Sequence, residues 1–353
     1  MKLLSDFADH GVRTWGAALL VCAAATLPAC GPAPRTQDQP GADAGNDSQN
    51  QVLDVTLEPP ATREQGFQLT IPPFSLMAGQ ELQQCFFFTI NYDTPIFIDH
   101  FEIAQTTGTH HMNIFRVRTV KNLDGADGTS VVDGECWKPA NWSDWPLVVN
   151  SQNEGHVDVQ LPDGVAHRFE PGEKIMLQTH YVNASTQQTP GGFGKVLVNF
   201  NRIDASLVHA ELGTAFATNQ NIRICPGDVE RRFETTCRFA QDNPVTIFGA
   251  NGHFHSRGRL FTMSVFDPTL GTGQQFYENT EWNEPLFARD IGVAVPIQGG
   301  ISYACEYTVL PTECGDPNDG CCFTFGGHVD AQEHCNAFVY YYPRNATTDV
   351  NCF

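Results

Sequence analysis

Basic residues are scarce. Across 353 residues, 20 Lys and Arg stand against 40 Asp and Glu, a formal charge of -20, and no basic run occurs anywhere. Such a chain repels phosphate backbones and anionic headgroups, which argues against nucleic acid or an anionic bilayer surface as partners. Heptads and internal repeats are missing, and long helical periods are few, so neither a coiled coil nor a helical array is indicated. The one long apolar run, Trp15 to Ala29 behind Arg13, is too short and too early for an ordinary spanning helix. Among 12 cysteines no Cys-x-x-Cys has a partner at metal-site spacing, which leaves a thiolate metal centre unsupported.

The apolar run ends in Leu27-Pro28-Ala29-Cys30-Gly31, which resembles a bacterial lipoprotein signal with Cys30 as the lipid-bearing first residue of the mature chain. A plain secretory signal cleaved nearby is the alternative, and both export the protein. Residues 1–29 are therefore expected to be the signal. Residues 30–51, rich in Pro, Gly, Ala, Asp, Gln and Asn, read as a disordered tether with a reach on the order of 25 Å. The expected place is the bacterial cell envelope, lipid-anchored, facing the periplasm or the surface; lipid is the only membrane attachment expected. With Cys22 in the signal and Cys30 taking lipid, ten cysteines remain for disulfides in an oxidising compartment. Adjacent Cys321 and Cys322 are poorly placed to bridge each other.

What is present is aromatic and β-branched. Twenty-five Phe and many short Val/Ile/Thr-rich runs bounded by Gly, Pro, Asn and Asp favour an all-β protein. Strands are expected at 52–57, 67–71, 85–90, 96–103, 112–120, 147–150, 157–161, 174–181, 195–201, 245–250, 259–266, 300–309 and 336–342. Length allows two domains, divided near 201–207 mostly by size: 52–203 and 204–353. Two tandem β-sandwiches of jelly-roll or Greek-key type follow from the strand spacing.

Histidines stand out within these runs. His110 and His111 head a strand-like run, His180 lies near the end of another, and Gly252-His253-Phe254-His255 is a His-x-His. Residues i and i+2 of a strand share a face, so His253 and His255 can grip one ion. Neighbours His110 and His111 point to opposite faces unless a bend or bulge intervenes. Gln332-Glu333-His334-Cys335-Asn336 is a further candidate cluster. All-imidazole sites suit Cu, Zn, Fe and Ni; export, no free thiolates and few nearby carboxylates favour copper.

These stretches, in this order, resemble the ascorbate-dependent type II copper monooxygenases, the family of peptidylglycine α-hydroxylating monooxygenase and dopamine β-monooxygenase. Thr109-His110-His111-Met112 is similar to the family's His-His-Met. Leu177-Gln178-Thr179-His180-Tyr181 resembles its Leu-Gln-x-His-Tyr, and His253-Phe254-His255 its His-Thr-His. Glu333-His334-Cys335-Asn336, with Tyr340, Tyr341 and Tyr342 after it, resembles its Glu-Met-Cys-Asn signature. The resemblance spans most of 55–353.

The resemblance implies two copper ions. His110, His111 and His180 would hold one that stores an electron. His253 and His255, with His334 in place of the family's Met, would hold the one that meets dioxygen and substrate. Met263 and His328 are alternatives for that third ligand. It implies dioxygen, a small organic substrate with an activated C–H bond, and ascorbate or another one-electron donor as partners. The substrate side departs from the family: Asn251 replaces an Arg and Phe338 a Tyr that hold a carboxylate in the peptide-amidating member, while Asn336 matches. Losing a charge and a hydroxyl argues against a peptidyl-glycine carboxylate. By the same resemblance Cys85 pairs with Cys136, Cys305 with Cys335, and Cys352 with Cys225 or Cys237. Two further readings stand beside this one: a copper-binding exported lipoprotein without turnover, and a zinc hydrolase lacking an evident general base.

Overall fold

A computed structural model describes residues 55–121, 125–128, 130–132, 144–183, 192–344 and 350–353. The signal, the tether and Cys136 lie outside the described residues. The first half supplies ten strands: β1 (Gly66–Leu76), β2 (Glu81–Thr89), β3 (Ile96–Gln105), β4 (Thr109–Arg116), β5 (Ser130–Val132), β6 (Leu147–Ser151), β7 (Gly155–Gln160), β8 (Val165–Phe169), β9 (Lys174–Val182) and β10 (Gly192–Ile203). One sheet runs β1-β10-β3-β8 with β7 also on β3, the other β5-β2-β9-β4-β6. The chain thus folds back on itself, β1 on β10, β2 on β9, β3 on β8 and β4 on β6, which is jelly-roll wiring.

The second half repeats that wiring without repeating the sequence. It contains β11 (Ala210–Glu211), β12 (Gly213–Thr218), β13 (Arg223–Ile224), β14 (Arg231–Arg238), β15 (Val245–His253), β16 (Gly258–Asp267), β17 (Gly271–Asn279), β18 (Phe287–Ala288), β19 (Val293–Val295), β20 (Gly300–Tyr307), β21 (Phe323–Thr324), β22 (Asn336–Tyr342) and β23 (Val350–Cys352). Its sheets are β18-β15-β22-β12-β23, with β19 on β15, and β14-β20-β16-β17. The protein is all-β. Among the described residues no helix is long and apolar enough to cross a membrane.

The strand period explains where the cores lie. In β9, Ile175 and Leu177 face the core of the first sandwich, beside Ile98, Phe101, Ile114 and Phe200. Met176, between them, turns the other way. It joins Phe87, Phe115, Trp145 and Leu147 against Phe216, Phe248, Phe338 and Tyr340 of the second half. In β22 the same alternation sends Ala337, Val339 and Tyr341 into the second core and Phe338 and Tyr340 to this seam. So β9 and β22 are buried along almost their whole length, and their sequences read as continuous rather than alternating. Tyr340 also ties the halves: its hydroxyl accepts from the Asn150 amide at 2.8 Å and donates to Asn150 Oδ1 at 2.9 Å.

Three strand expectations change; the strand expected at 112–120 is observed as Thr109–Arg116. The strand expected at 52–57 is absent over 55–57; Val55 and Leu57 instead pack beside Ala104 and Leu197 ahead of Pro59-Pro60. The strand expected at 67–71 continues to Leu76 through Pro72-Pro73, because β1 is an edge strand and its register shifts between Ile71 and Phe74.

Four disulfides are seen among the described residues: Cys225–Cys322, Cys237–Cys352, Cys305–Cys335 and Cys314–Cys321. Cys352 therefore takes Cys237, and the adjacent Cys321 and Cys322 bond to different partners. Cys85 is also disulfide-bonded; its expected partner, Cys136, is outside the described residues. A set of bridges this dense fits folding in an exported, oxidising setting.

Candidate metal centre

Six histidines meet at one end of the seam. From the first half come His110 and His111 at the start of β4 and His180 in β9. Thr109 pairs with Tyr181 and His111 with His180, and the register shift between them leaves His110 as the extra residue of a bulge. That bulge turns two adjacent side chains toward one place, as the pair requires. The ring centroids of His110 and His111 each lie 4.9 Å from His180. Their ligand atoms all fall within 4.8 Å of one another.

From the second half come His253, closing β15, His255 in the turn before β16, and His334 just ahead of β22. His253 pairs in register with Asn336. Gly252 is required here, since a Cβ on it would stand 2.5 Å from the Phe261 ring. His334 lies 4.6 Å from His255 and 5.5 Å from His253 between ring centroids. No cleft separates the two sets: His253 is 4.8 Å from His110 and 5.3 Å from His111. Every one of the six is at most 6% exposed.

Burial governs the chemistry of these rings. It pushes the pKa values of His110, His111, His253 and His334 well below the ordinary imidazole value, with neighbouring histidines adding to the effect. His255 is held at about 3, again chiefly by burial. These rings are therefore neutral near pH 7, with lone pairs available to a metal. Several of those nitrogens have no hydrogen-bond partner: His110 Nε2, His111 Nδ1, His180 Nδ1, both nitrogens of His253, His255 Nε2 and His334 Nδ1. Orphaned buried acceptors on this scale are costly for a protein alone and suit a bound cation.

Neighbouring groups decide which nitrogen is free. The Nε2 of His180 lies 2.6 Å from Glu81 Oε1, so it carries the proton and leaves Nδ1 for a metal. His255 Nδ1 donates to the Gln332 carbonyl at 2.9 Å, leaving Nε2. His111 Nε2 is 3.1 Å from the Gln178 amide, which is linked in turn to Asn113. With both amides turned so that Gln178 Oε1 faces the ring, His111 presents a free Nδ1. Replacing Glu81 with Gln is expected to weaken metal binding at His110, His111 and His180 by about 10- to 100-fold. Competition titration with a copper chelator reads that change.

Glu333, fully buried, organises the second set. Its carboxylate accepts from the backbone N–H of His255 at 2.9 Å and of Arg257 at 3.1 Å. Arg257 NH1 lies 3.7 Å from it and also donates to the Val329 carbonyl, while NH2 donates to the Asp330 carbonyl. Burial pushes the Glu333 carboxyl up to about 7 although Arg257 and nearby backbone N–H groups oppose the rise. One side chain thus fastens the His255 turn to the segment carrying His334. Sequence reasoning gave Glu333 only a place in a motif and missed Glu81, whose sole signal was an acidic residue opening a strand.

The other expected site residues are placed as follows. Asn251 is buried in the seam, its Nδ2 donating to the carbonyls of Pro285 and Leu286 at 3.3 and 3.1 Å. Phe338 stacks on Phe216 at 5.1 Å. Asn336 is buried with an unpartnered Oδ1. Met263 lies in the apolar core of the second sandwich, and His328 is exposed, 3.8 Å from Glu81.

No protein-family model and no curated protein matches the chain. Among solved structures, the crystal structure of the infectious bursal disease virus VP2 subviral particle is similar at 10% identity and a TM-score of 0.19. That match covers 82% of this chain and 75% of the other. The structure of the Gx strain of that virus gives 9% identity, TM-score 0.18 and coverage of 83% and 76%.

Proposed function

We propose that this chain is a copper-dependent monooxygenase similar to the ascorbate-dependent type II enzymes, hydroxylating an activated C–H bond of a small organic substrate. One observation carries the reading: four motifs spread over residues 109–336 bring six buried imidazoles to one place, with nitrogens left unpaired. The donor set is all imidazole, and the described cysteines are held in disulfides. Copper bound there would supply the redox chemistry that joins dioxygen to an external one-electron donor such as ascorbate. In balance, one oxygen atom enters the C–H bond and the other leaves as water, with two electrons and two protons taken up.

The protein's part is placement. His110, His111 and His180 supply three donors with Glu81 fixing His180, and His253 and His255 supply two more with Glu333 and Gln332 fixing the turn. Asn251 and Phe338 offer neither charge nor phenol to a substrate carboxylate, so a neutral substrate is favoured. A second reading, a copper-binding lipoprotein without turnover, draws support from the depth of the rings and from Asn251 and Phe338 being taken up in packing. Copper-loaded protein given ascorbate and a panel of C–H donors distinguishes them. Hydroxylated product matched to oxygen consumed supports the enzyme. Bound copper with no coupled hydroxylation supports the store, and failure to bind copper sinks both.

We also propose that Cys30 carries the lipid and that the tether holds the domains to the envelope. Cys30→Ser is expected to abolish labelling by a fatty acid and to move the protein from the membrane to the soluble fraction. Persisting membrane attachment would show a different anchor.

A further inference from the structure

We infer that His110 is a ligand shared between the two halves, so that an ion held by His253 and His255 takes His110, rather than His334, as its third nitrogen. The inference rests on the reading of the cluster as a metal centre and alters which residues close it. His110, His253 and His255 offer ligand atoms all within 4.8 Å of one another, and among the described residues no such group includes His334. The His110 ring lies 4.8 Å from His253 and 5.5 Å from His255. Nε2 of His110, both nitrogens of His253 and Nε2 of His255 are buried without partners, and the Gln332 carbonyl occupies the other nitrogen of His255.

His334 is close but differently held. Its ring packs on Phe325 at 5.0 Å as well as on His255, and its own carbonyl accepts from the Tyr307 hydroxyl. Nitrogen donors stand about 2.0–2.1 Å from a small divalent ion, so the His110 group, whose ligand atoms lie within 4.8 Å of one another, would draw in slightly to close around one. The β4 bulge is what gives His110 this reach, because an unbulged strand would turn it to the opposite face. An ion so bound joins the first sandwich to the second; with both ions in place His110 would ligate one through each ring nitrogen, its ring proton being released to solvent as the imidazolate forms.

Metal retention tests this directly. Wild-type, His110→Ala and His334→Ala proteins are loaded with copper or, separately, zinc, desalted and assayed for metal, and the copper-loaded forms are examined by electron paramagnetic resonance. His110→Ala is expected to weaken both ions by at least tenfold, and His334→Ala to leave both in place with an unchanged spectrum. Loss of a single ion from His110→Ala, or loss of one from His334→Ala, overturns the sharing. Circular dichroism and a melting curve on each variant separate ligand loss from misfolding; should His110→Ala fail to fold, His110→Gln replaces it. Wild-type protein that binds no copper removes the functional reading itself, whereas wild-type protein with two ions and a one-ion His110→Ala removes only this inference.

Discussion

Replacing His180 with alanine is expected to cost the protein one of two bound copper ions while the other stays. His180 is fully buried, reaches no ion-binding group other than its own, and has one nitrogen committed to Glu81. Removing it takes a whole donor from the His110–His111 set. Changes to groups that merely orient a metal ligand lower affinity by roughly 10- to 100-fold, so loss of the ligand should exceed that range. On the proposed reading, hydroxylation should fall to background too, because that reaction would need two electrons and one of the two proposed metals would be gone. Metal analysis after desalting is the measurement. Retention of both ions would show that His180 does not ligate.

Glu333→Ala should produce the largest loss of stability. The carboxylate is buried beside Arg257, itself only 8% exposed, and accepts from two backbone N–H groups. Removing one partner of a buried ion pair costs about 3–5 kcal/mol, and Glu313, 3.9 Å from the Arg257 Nε, would be the carboxylate left beside the remaining charge. At about 2–4 °C per kcal/mol for folding units of this size, the melting temperature should fall by roughly 6–20 °C. Calorimetry on the metal-free protein isolates this from metal effects. Glu333→Gln, which keeps an acceptor for the backbone, should recover part of the loss. A change of only a degree or two would mean that Glu313 and the Val329 and Asp330 carbonyls satisfy Arg257 without Glu333.

The sequence carried the fold through its apolar spacing. Strands such as β3, β9, β16 and β22 are dense in Phe, Ile, Val and Tyr, and their expected ranges overlap the observed ones. Strands β14 and β17 were passed over because they edge their sheet and read as polar, RRFETTCR and GTGQQFYEN. Strand β12, GTAFAT, hides in small residues although it is buried throughout. At the site, identity and order of the histidines were legible, and so was the need for a bulge at His110. Their mutual proximity was not, because it depends on how two sandwiches dock through Phe216, Phe248 and Tyr340. Nor did spacing alone decide whether Cys352 takes Cys225 or Cys237, since disulfide connectivity is a property of the folded chain.

The seam has a consequence for access. Among the described residues the backbone passes between the sandwiches once, over 204–212, beside the short β11 pairing with β8. What keeps the halves together is therefore an apolar face of aromatic rings with hydrogen bonds around it, among them Tyr340 to Asn150, Thr214 to the Leu147 carbonyl and Gln83 to the Gly327 carbonyl, and the six imidazoles lie beside it. The rings are at most 6% exposed, so a substrate molecule reaches them only if their surroundings move. On the proposed reading, turnover would then be paced by motion between the two sandwiches, and a clamp across the seam would starve the centre while leaving each sandwich intact.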